Sequence, residues 1–232
     1  MNLSVRETAK LLQVSEKTIY RWIAKDSMPT HRVNDQYRFN RAELLEWATS
    51  QRIKLSPKIL EEPGDGEPPS LVGALKAGGI HYRLGGTDKA SALRCVVDVM
   101  PLPQEVDREF LYQVMLARES VGSTGIGDGL AIPHVRNPVV LHIPNPMVAL
   151  CFLDQPIDFR AIDNKPVHTL FAIVSPTIKA HLSLLSRLAF GLRDSPFAQA
   201  VQTRASREDI LAAAALLDQT LPAQAAGGAS VT

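Results

Sequence analysis

Residues 118–134 read RESVGSTGIGDGLAIPH, and this stretch decides how the larger part of the chain is interpreted. Four glycines fall within eight positions: Gly122, Gly125, Gly127 and Gly129. Glycine permits positive φ and close backbone approach, so consecutive amides in such a loop can form a nest that binds an anion. The loop lacks the Lys-Ser/Thr ending of a Walker loop, and its glycine spacing differs from a dinucleotide fingerprint. It predicts a different kind of phosphoryl site.

The apolar run at residues 130–132 leads directly to Pro133 and His134. We predict a short strand whose end presents His134 in a restricted orientation, because proline stiffens the backbone before it. A neutral imidazole nitrogen there can attack a phosphoryl group while a hydrogen bond holds the other ring nitrogen. Thr124 and the loop amides are candidates for stabilising the phosphoryl oxygens, and Arg118 for neutralising their charge. Thr124 is equally compatible with a hydrogen bond inside its own turn.

The same run resembles the active-site signature of phosphotransferase-system enzyme IIA domains of the fructose, mannitol and nitrogen-regulatory type. Their pattern of arginine, glutamate, a Gly-Ser-Thr-Gly-Ile-Gly loop and Ala-Ile-Pro-His is present here in order. The resemblance implies that His134 accepts a phosphoryl group, that Arg118 supports it, and that His181 is a second active-site histidine. The competing interpretation of His181 is a packed histidine at the start of a helix. The loop residues that the resemblance implies for cradling the phosphoryl group are Gly122, Ser123, Gly125 and Gly127.

The pattern around this motif predicts an α/β fold. Residues 147–153 and 167–174 are β-branched and aromatic runs of strand length, and amphipathic helical patterns surround them. The loop between the two runs is too short for a crossover helix, so we expect an α/β sandwich with a mixed sheet flanked by helices.

The N-terminal segment predicts a small winged helix-turn-helix domain. Ser4 and Glu7 have the spacing of a capping box, and Ser15 is placed to cap a second helix. Two short strands around residues 34–35 form a basic wing, and a third helix follows. The segment resembles the excisionase-type helix-turn-helix related to the MerR DNA-binding domain, which implies binding to double-stranded DNA. The candidate DNA contacts are Ser15, Lys17, Thr18 and Arg21 on the helix, with Arg32 and Arg38 on the wing.

Three aromatic or imidazole side chains of this segment are given no DNA contact. Tyr20 and Trp22 are interpreted as packing residues, and His31 as a surface residue without a partner. A solvated basic face on a helical bundle is the alternative interpretation of the charged residues.

Charge separates two domains. Residues 1–60 carry eleven basic and six acidic side chains, a balance of +5, whereas the remaining residues carry fourteen basic and eighteen acidic ones. A basic small domain joined to an acidic larger one indicates that only the first meets a polyanion. We therefore divide the chain into a DNA-binding domain at 1–56, an acidic Pro/Gly linker at 57–70, an enzyme IIA-like domain at 71–218 and a disordered tail at 219–232.

Composition excludes several classes of protein. Hydrophobic residues make up 45% and charged residues 21%, which is ordinary for a globular protein. The cysteines, Cys95 and Cys151, lie in apolar runs without metal-ligand spacing, so we expect free thiols in a reducing compartment and no metal or cofactor. No 18-residue apolar stretch or signal peptide is present, and a cytoplasmic protein is expected.

The combination predicts a transcription regulator whose DNA binding responds to phosphorylation of His134 by a histidine phosphocarrier protein. The first alternative is a phosphocarrier that passes the phosphoryl group to another protein, with the N-terminal module serving for localisation. The second alternative is a domain that has lost transfer and only senses partners. We expect a homodimer, because one module of about 50 residues makes few base contacts.

Overall fold

A computed structural model describes residues 2–25, 27–33, 36–51, 53, 69–135, 143–193 and 195–220 of the chain. The predicted wing turn at 34–35, the linker residues 57–68 and the tail residues 221–232 lie outside the described residues.

The first domain has the expected winged helix-turn-helix order. Its strands are β1 (Asn2–Leu3), β2 (His31–Val33) and β3 (Gln36–Asn40). Antiparallel pairing joins them in the order β1-β3-β2, and Leu3 pairs with Phe39. The short β1 was not predicted, because its pairing partner lies more than thirty residues away. In chain order the elements are β1 (Asn2–Leu3), α1 (Val5–Leu11), α2 (Glu16–Ala24), β2 (His31–Val33), β3 (Gln36–Asn40) and α3 (Arg41–Ser50).

The helix starts follow the sequence signals. Ser4 accepts a hydrogen bond from the Glu7 amide while the Glu7 carboxylate accepts one from the Ser4 amide, completing the capping box of α1. Ser15 Oγ accepts from the Thr18 amide at 3.2 Å at the start of α2. Local polar contacts therefore fix the starts of both helices, and Ile19 of α2 is fully buried.

The second domain is a mixed sheet with helices. Its strands are β4 (Ile80–Leu84), β5 (Gly125–Gly127), β6 (Leu130–Ala131), β7 (Met147–Ile157) and β8 (Val167–Val174). They lie in the order β4-β7-β8-β6-β5, with parallel β4–β7 and β6–β8 pairs and antiparallel β7–β8 and β5–β6 pairs. This confirms the predicted fold class. In chain order the elements are α4 (Leu71–Gly78), β4 (Ile80–Leu84), α5 (Lys89–Val99), α6 (Arg108–Val121), β5 (Gly125–Gly127), β6 (Leu130–Ala131), β7 (Met147–Ile157), β8 (Val167–Val174), α7 (Ile178–Gly191), α8 (Pro196–Gln202) and α9 (Arg207–Thr220).

The two faces of the sheet pack into separate cores. One cluster joins the sheet to α4, α7 and α9, and it continues into the helix-turn-helix domain through α3. The other lies between the sheet and the helices α5 and α6. Strand β5, at the edge of the sheet next to β6, and helix α7 both contact α3 within this continuous core. That edge carries the residues singled out in the sequence.

Candidate active site

His134 lies just beyond β6, where the strand continues into a single parallel bridge with Ile173 of β8. Its side chain is 3% exposed, and Nδ1 is 2.7 Å from the carbonyl oxygen of Ile132. Because a carbonyl can only accept, Nδ1 carries the proton in this contact, and Nε2 is the nitrogen with a lone pair. The backbone thus selects the tautomer that is protonated on Nδ1.

His181 comes from a distant part of the chain to meet His134. It lies in the first turn of α7, whose start is fixed by Thr177 Oγ1 accepting from the Ala180 amide at 3.1 Å. The two imidazole rings are 5.1 Å apart at an angle of 47°, and His181 is 2% exposed. The histidine pair that the sequence suggested is therefore brought together here.

Arg118 lies in the last turn of α6, on the same side of the molecule as His134. Its Nη1 donates to the carbonyl oxygen of Gly122 at 2.9 Å, which holds the guanidinium against the end of its own helix. Arg118, Thr124 and His134 all line one cleft. A guanidinium in this position can neutralise the charge of a phosphoryl group.

Glu119 is a residue of this site that the sequence analysis left without a role. Its carboxylate is 2% exposed and accepts from the Thr124 amide at 3.1 Å and from the Thr124 hydroxyl at 2.6 Å. Lys89 of α5 supplies the balancing charge, with Nζ 2.9 Å from Glu119 Oε1. The Thr124 hydroxyl proton therefore points to Glu119, which fits the alternative of a local hydrogen bond, and a contact of Thr124 with phosphoryl oxygens stays a prediction. In the sequence, the only indication of this role was that Glu119 directly follows Arg118 within the motif.

The glycines of the motif form a β-hairpin. Gly127 has φ 87° in the turn between β5 and β6, a conformation that favours glycine. Gly125 is extended, and a Cβ there would lie 2.8 Å from the backbone of Ala161. Gly122 is also extended, at φ 173°, with open space around it, and Ser123 Oγ donates to the carbonyl oxygen of Phe159 at 2.6 Å. Two of the predicted cradle glycines thus serve chain reversal and strand packing.

A cleft of about 690 Å³ separates the two domains at this point, and we call it the interdomain cleft. The second domain supplies the wall with His134, and the first domain supplies the opposite wall. The lining from the first domain is Ser27, Met28, Pro29, Thr30, His31, Glu43 and Trp47; that from the second is Arg118, Val121, Gly122, Ser123, Thr124, Ile126, Ile132, His134 and Leu185.

His31 departs from the expectation of a surface residue without a partner. Its Nε2 is 2.7 Å from Glu43 Oε2, although its side chain is 54% exposed. The pair joins β2 to α3 at the rim of the interdomain cleft. The contact was missed because the two residues are twelve positions apart and approach only when the wing folds onto α3.

The predicted DNA-contact residues of α2 lie on an accessible face. Lys17 and Arg21 are exposed, and Ser15 is exposed at the helix start. Thr18 is half-buried, with its hydroxyl 3.0 Å from Ser15 Oγ. Tyr20, expected to pack, is 49% exposed, and its ring centre lies 6.2 Å from that of Tyr37 at an angle of 70°. The face is therefore polar and basic with one aromatic side chain.

The wing arginines are partly held by their own strands. The Arg32 guanidinium lies 5.7 Å from the ring centre of Tyr37, and Arg38 Nη2 donates to Gln36 Oε1 at 2.7 Å. Trp22 packs as expected, with its ring 5.3 Å from that of Trp47 on α3. The wing and α2 lie in one small domain, which is the arrangement of a winged helix-turn-helix.

Within the described residues, no helix is long and apolar enough to cross a membrane, and no group of three His, Cys, Asp or Glu side chains is placed to hold a metal ion. Cys95 and Cys151 are free thiols.

Comparison with protein families matches each domain separately. Residues 74–215 match the family described as "Phosphoenolpyruvate-dependent sugar phosphotransferase system, EIIA 2". Residues 3–52 match a family described as "Helix-turn-helix domain". The first match covers more than half of the chain.

Curated and solved relatives agree with the larger match. A nitrogen regulatory protein of Pseudomonas aeruginosa is 40% identical over 87 residues, which cover 37% of this chain and 54% of that protein. The nitrogen regulatory protein of Escherichia coli K12 is 34% identical over 125 residues, covering 53% of this chain and 75% of that protein. The crystal structure of nitrogen regulatory protein IIA-Ntr from Neisseria meningitidis superposes with a TM-score of 0.52 at 26% identity, covering 60% of this chain and 94% of that one. This chain thus spans about half the length of the Pseudomonas relative.

Proposed function

Because the chain belongs to the EIIA 2 family of the phosphoenolpyruvate-dependent sugar phosphotransferase system, we propose that it accepts a phosphoryl group on His134 and that this modification controls DNA binding by its helix-turn-helix domain. The donor in this proposal is a histidine phosphocarrier protein, and the site of action is the cytoplasm, where phosphocarrier and DNA are both available. A homodimer would present two helix-turn-helix domains to two half-sites.

The observation that carries the proposal is the contact between His134 Nδ1 and the Ile132 carbonyl. The lone pair of Nε2 attacks the phosphorus of the donor's phosphohistidine, and a new N–P bond forms. The donor's N–P bond breaks, and its electron pair returns to the donor imidazole. Positive charge that develops on the His134 ring is stabilised by the Ile132 carbonyl, and Arg118 balances the phosphoryl oxygens.

His181 has a positioning role in this step. Its ring lies 5.1 Å from that of His134 and both are almost fully buried, so it limits the orientations open to the acceptor. Glu119 acts further away, because it ties the Thr124 amide and hydroxyl and so fixes the loop between Arg118 and β5.

The test is incubation of the full chain with phosphoenolpyruvate and the general phosphotransferase proteins, followed by intact-mass spectrometry at mildly alkaline pH. We expect a gain of one acid-labile phosphate in the wild type and none in His134→Ala. His81→Ala is the matched control, since His81 lies on β4 outside the interdomain cleft, and it should gain the phosphate normally. A phosphate gain retained by His134→Ala would contradict the assignment of the acceptor.

DNA binding is supported by the charge balance of residues 1–60 and by the exposure of Lys17 and Arg21 on α2. Each phosphate neutralised by a cation changes the slope of log K against log salt by about 0.9. Lys17→Ala and Arg21→Ala should each weaken binding to a generic duplex and lower this slope, whereas Lys76→Ala on α4 should change neither. Fluorescence anisotropy at several salt concentrations measures both quantities. Equal binding by all three variants would exclude α2 as the contact.

A further inference from the structure

We propose that the helix-turn-helix domain docks over the His134 site of its own chain, competes there with the phosphodonor protein, and is released when His134 carries a phosphoryl group. The inference rests on the proposed phosphorylation and adds the surface through which the DNA-binding domain senses it.

The docking contact is part of the hydrophobic core. Helix α3 packs against α7 and β5 of the second domain. Leu44 and Leu45 of α3 are at most 1% exposed and belong to the same apolar cluster as Ile126 of β5 and Leu185 of α7. Because β5 and α7 also carry the site motif and His181, this contact covers the acceptor region rather than a remote face.

The interdomain cleft is too small to admit a protein. Its volume of about 690 Å³ is in the range of pockets that hold small ligands, and a folded protein does not fit into it. His134 lies on one wall, while Thr30 and Trp47 lie on the other. A phosphocarrier can bring its phosphohistidine to His134 Nε2 only after the wall formed by the first domain has moved.

A local charge contact at the cleft opposes docking after transfer. Phosphorylation adds about two negative charges to the residue that carries them. The wall opposite His134 contains the Glu43 carboxylate, held 2.7 Å from His31. Arg118 lies on the same wall as His134 and can remain with the phosphoryl group. Repulsion therefore acts at the cleft between the phosphoryl group and the Glu43 carboxylate, against the overall attraction between the basic first domain and the acidic second domain.

Trp47 connects this contact to the DNA-binding helix. Its ring lines the cleft and lies 5.3 Å from the ring of Trp22, which belongs to α2. Movement of α3 is thereby passed to the helix that bears Lys17 and Arg21. By thermodynamic linkage, if phosphorylation changes the affinity for a DNA duplex by some factor, binding of that duplex changes the equilibrium constant for phosphorylation by the same factor.

The chain supplies its own spectroscopic probe of docking. It contains two tryptophans, Trp22 and Trp47, both in the first domain. Full-length protein is phosphorylated with phosphoenolpyruvate and the general phosphotransferase proteins, repurified, and its tryptophan emission recorded. We expect a red shift as Trp47 enters water, and no shift in His134→Ala treated in the same way. In Trp47→Phe, which keeps Trp22 as the reporter, the shift should be largely lost.

A second measurement compares phosphorylation rates after a bulky side chain has been introduced into the cleft. Thr30→Tyr places a bulky ring on the first-domain wall, far in sequence from the surface that the donor must contact. We expect phosphorylation of His134 to become several-fold faster, because the docked state is weakened. Gln51→Tyr is the matched control: Gln51 is exposed in the same domain and does not line the cleft. Its rate should equal that of the wild type.

The outcomes separate this inference from the function on which it rests. A phosphate gain with unchanged tryptophan emission, or with equal rates for Thr30→Tyr and Gln51→Tyr, overturns docking and leaves phosphorylation of His134 standing. No phosphate gain from a donor chain that phosphorylates a known acceptor overturns the proposed function and the inference with it.

Discussion

At the scale of single residues, the candidate site is organised by contacts to the backbone. The Ile132 carbonyl selects the His134 tautomer, and the Glu119 carboxylate takes both donors of Thr124. Glu119 is a buried charge balanced by Lys89, so the loop is held by an interaction that requires both partners. These contacts therefore hold His134 and its loop in place without a bound partner.

Glu119→Gln tests this buried charge. Loss of the carboxylate leaves the Lys89 ammonium without its partner and weakens both contacts to Thr124. We expect the free energy of unfolding to fall by about 3 kcal/mol, as for other broken buried pairs. Chemical denaturation measures the change.

The control is Glu109→Gln on the same helix, α6. Glu109 pairs with Arg94 at 2.6 Å, but its side chain is 58% exposed. Exposed pairs contribute about 0–1 kcal/mol, so the control should remain close to the wild type. Equal losses in the two variants would show that Glu119 has no special structural role.

Cys151 offers a prediction about reactivity. Burial in β7 raises the pKa of its thiol to about 12. At pH 8 only about one thiol in ten thousand is then the reactive thiolate. Iodoacetamide at this pH should leave Cys151 unmodified in the native protein and modify it after unfolding in guanidinium chloride. Peptide mass mapping gives the result; native labelling of Cys151 as fast as that of half-buried Cys95 would contradict it.

At the scale of elements, α4 packs closely on the sheet because its last residue is a glycine, Gly78. A Cβ on Gly78 would lie 2.3 Å from the backbone carbonyl carbon of Val148 in β7. The backbone of a central strand cannot yield easily, because it is bonded on both sides to β4 and β8. The position therefore allows close helix–strand packing.

Gly78→Ala should lower the free energy of unfolding by about 1–3 kcal/mol through overpacking, despite the better helix propensity of alanine. Gly122→Ala, at the end of α6, is the matched control because its Cβ would meet nothing within 4 Å. It should stay within about 0.5 kcal/mol of the wild type. Thermal or urea unfolding compares the two, and a Gly78→Ala protein as stable as Gly122→Ala would mean that α4 moves freely on the sheet.

At the scale of the whole molecule, the two domains share one apolar cluster through α3. A module of about 50 residues buries too little surface to be very stable alone, so docking contributes to its stability. The same contact must be weak enough to open when His134 is modified, as proposed above.

Coupled unfolding follows from this shared core. In the unphosphorylated protein, tryptophan emission reports only the first domain, because Trp22 and Trp47 both lie there. Far-UV circular dichroism reports mainly the larger second domain. We expect the two thermal transitions to coincide. An emission transition at clearly lower temperature than the circular dichroism transition would show that the first domain undocks or unfolds before the second.

The helix starts, the fold class and part of the candidate site could be predicted from the sequence alone. The capping residues Ser4 and Ser15 marked the helix-turn-helix, strand-length apolar runs gave the mixed sheet, and the motif at 118–134 marked His134 and Arg118 as candidates. These features are local, because caps, alternation and glycine-rich turns act within a few residues.

The tertiary structure decided what depends on distant parts of the chain. It brought His181 to His134, gave Glu119 its contacts with Thr124 and Lys89, and placed the His31–Glu43 pair at the rim of the cleft. It also laid α3 against β5 and α7, which no composition or spacing indicated. The physical reason is that such contacts depend on the complementary shapes of surfaces formed only after each domain has folded.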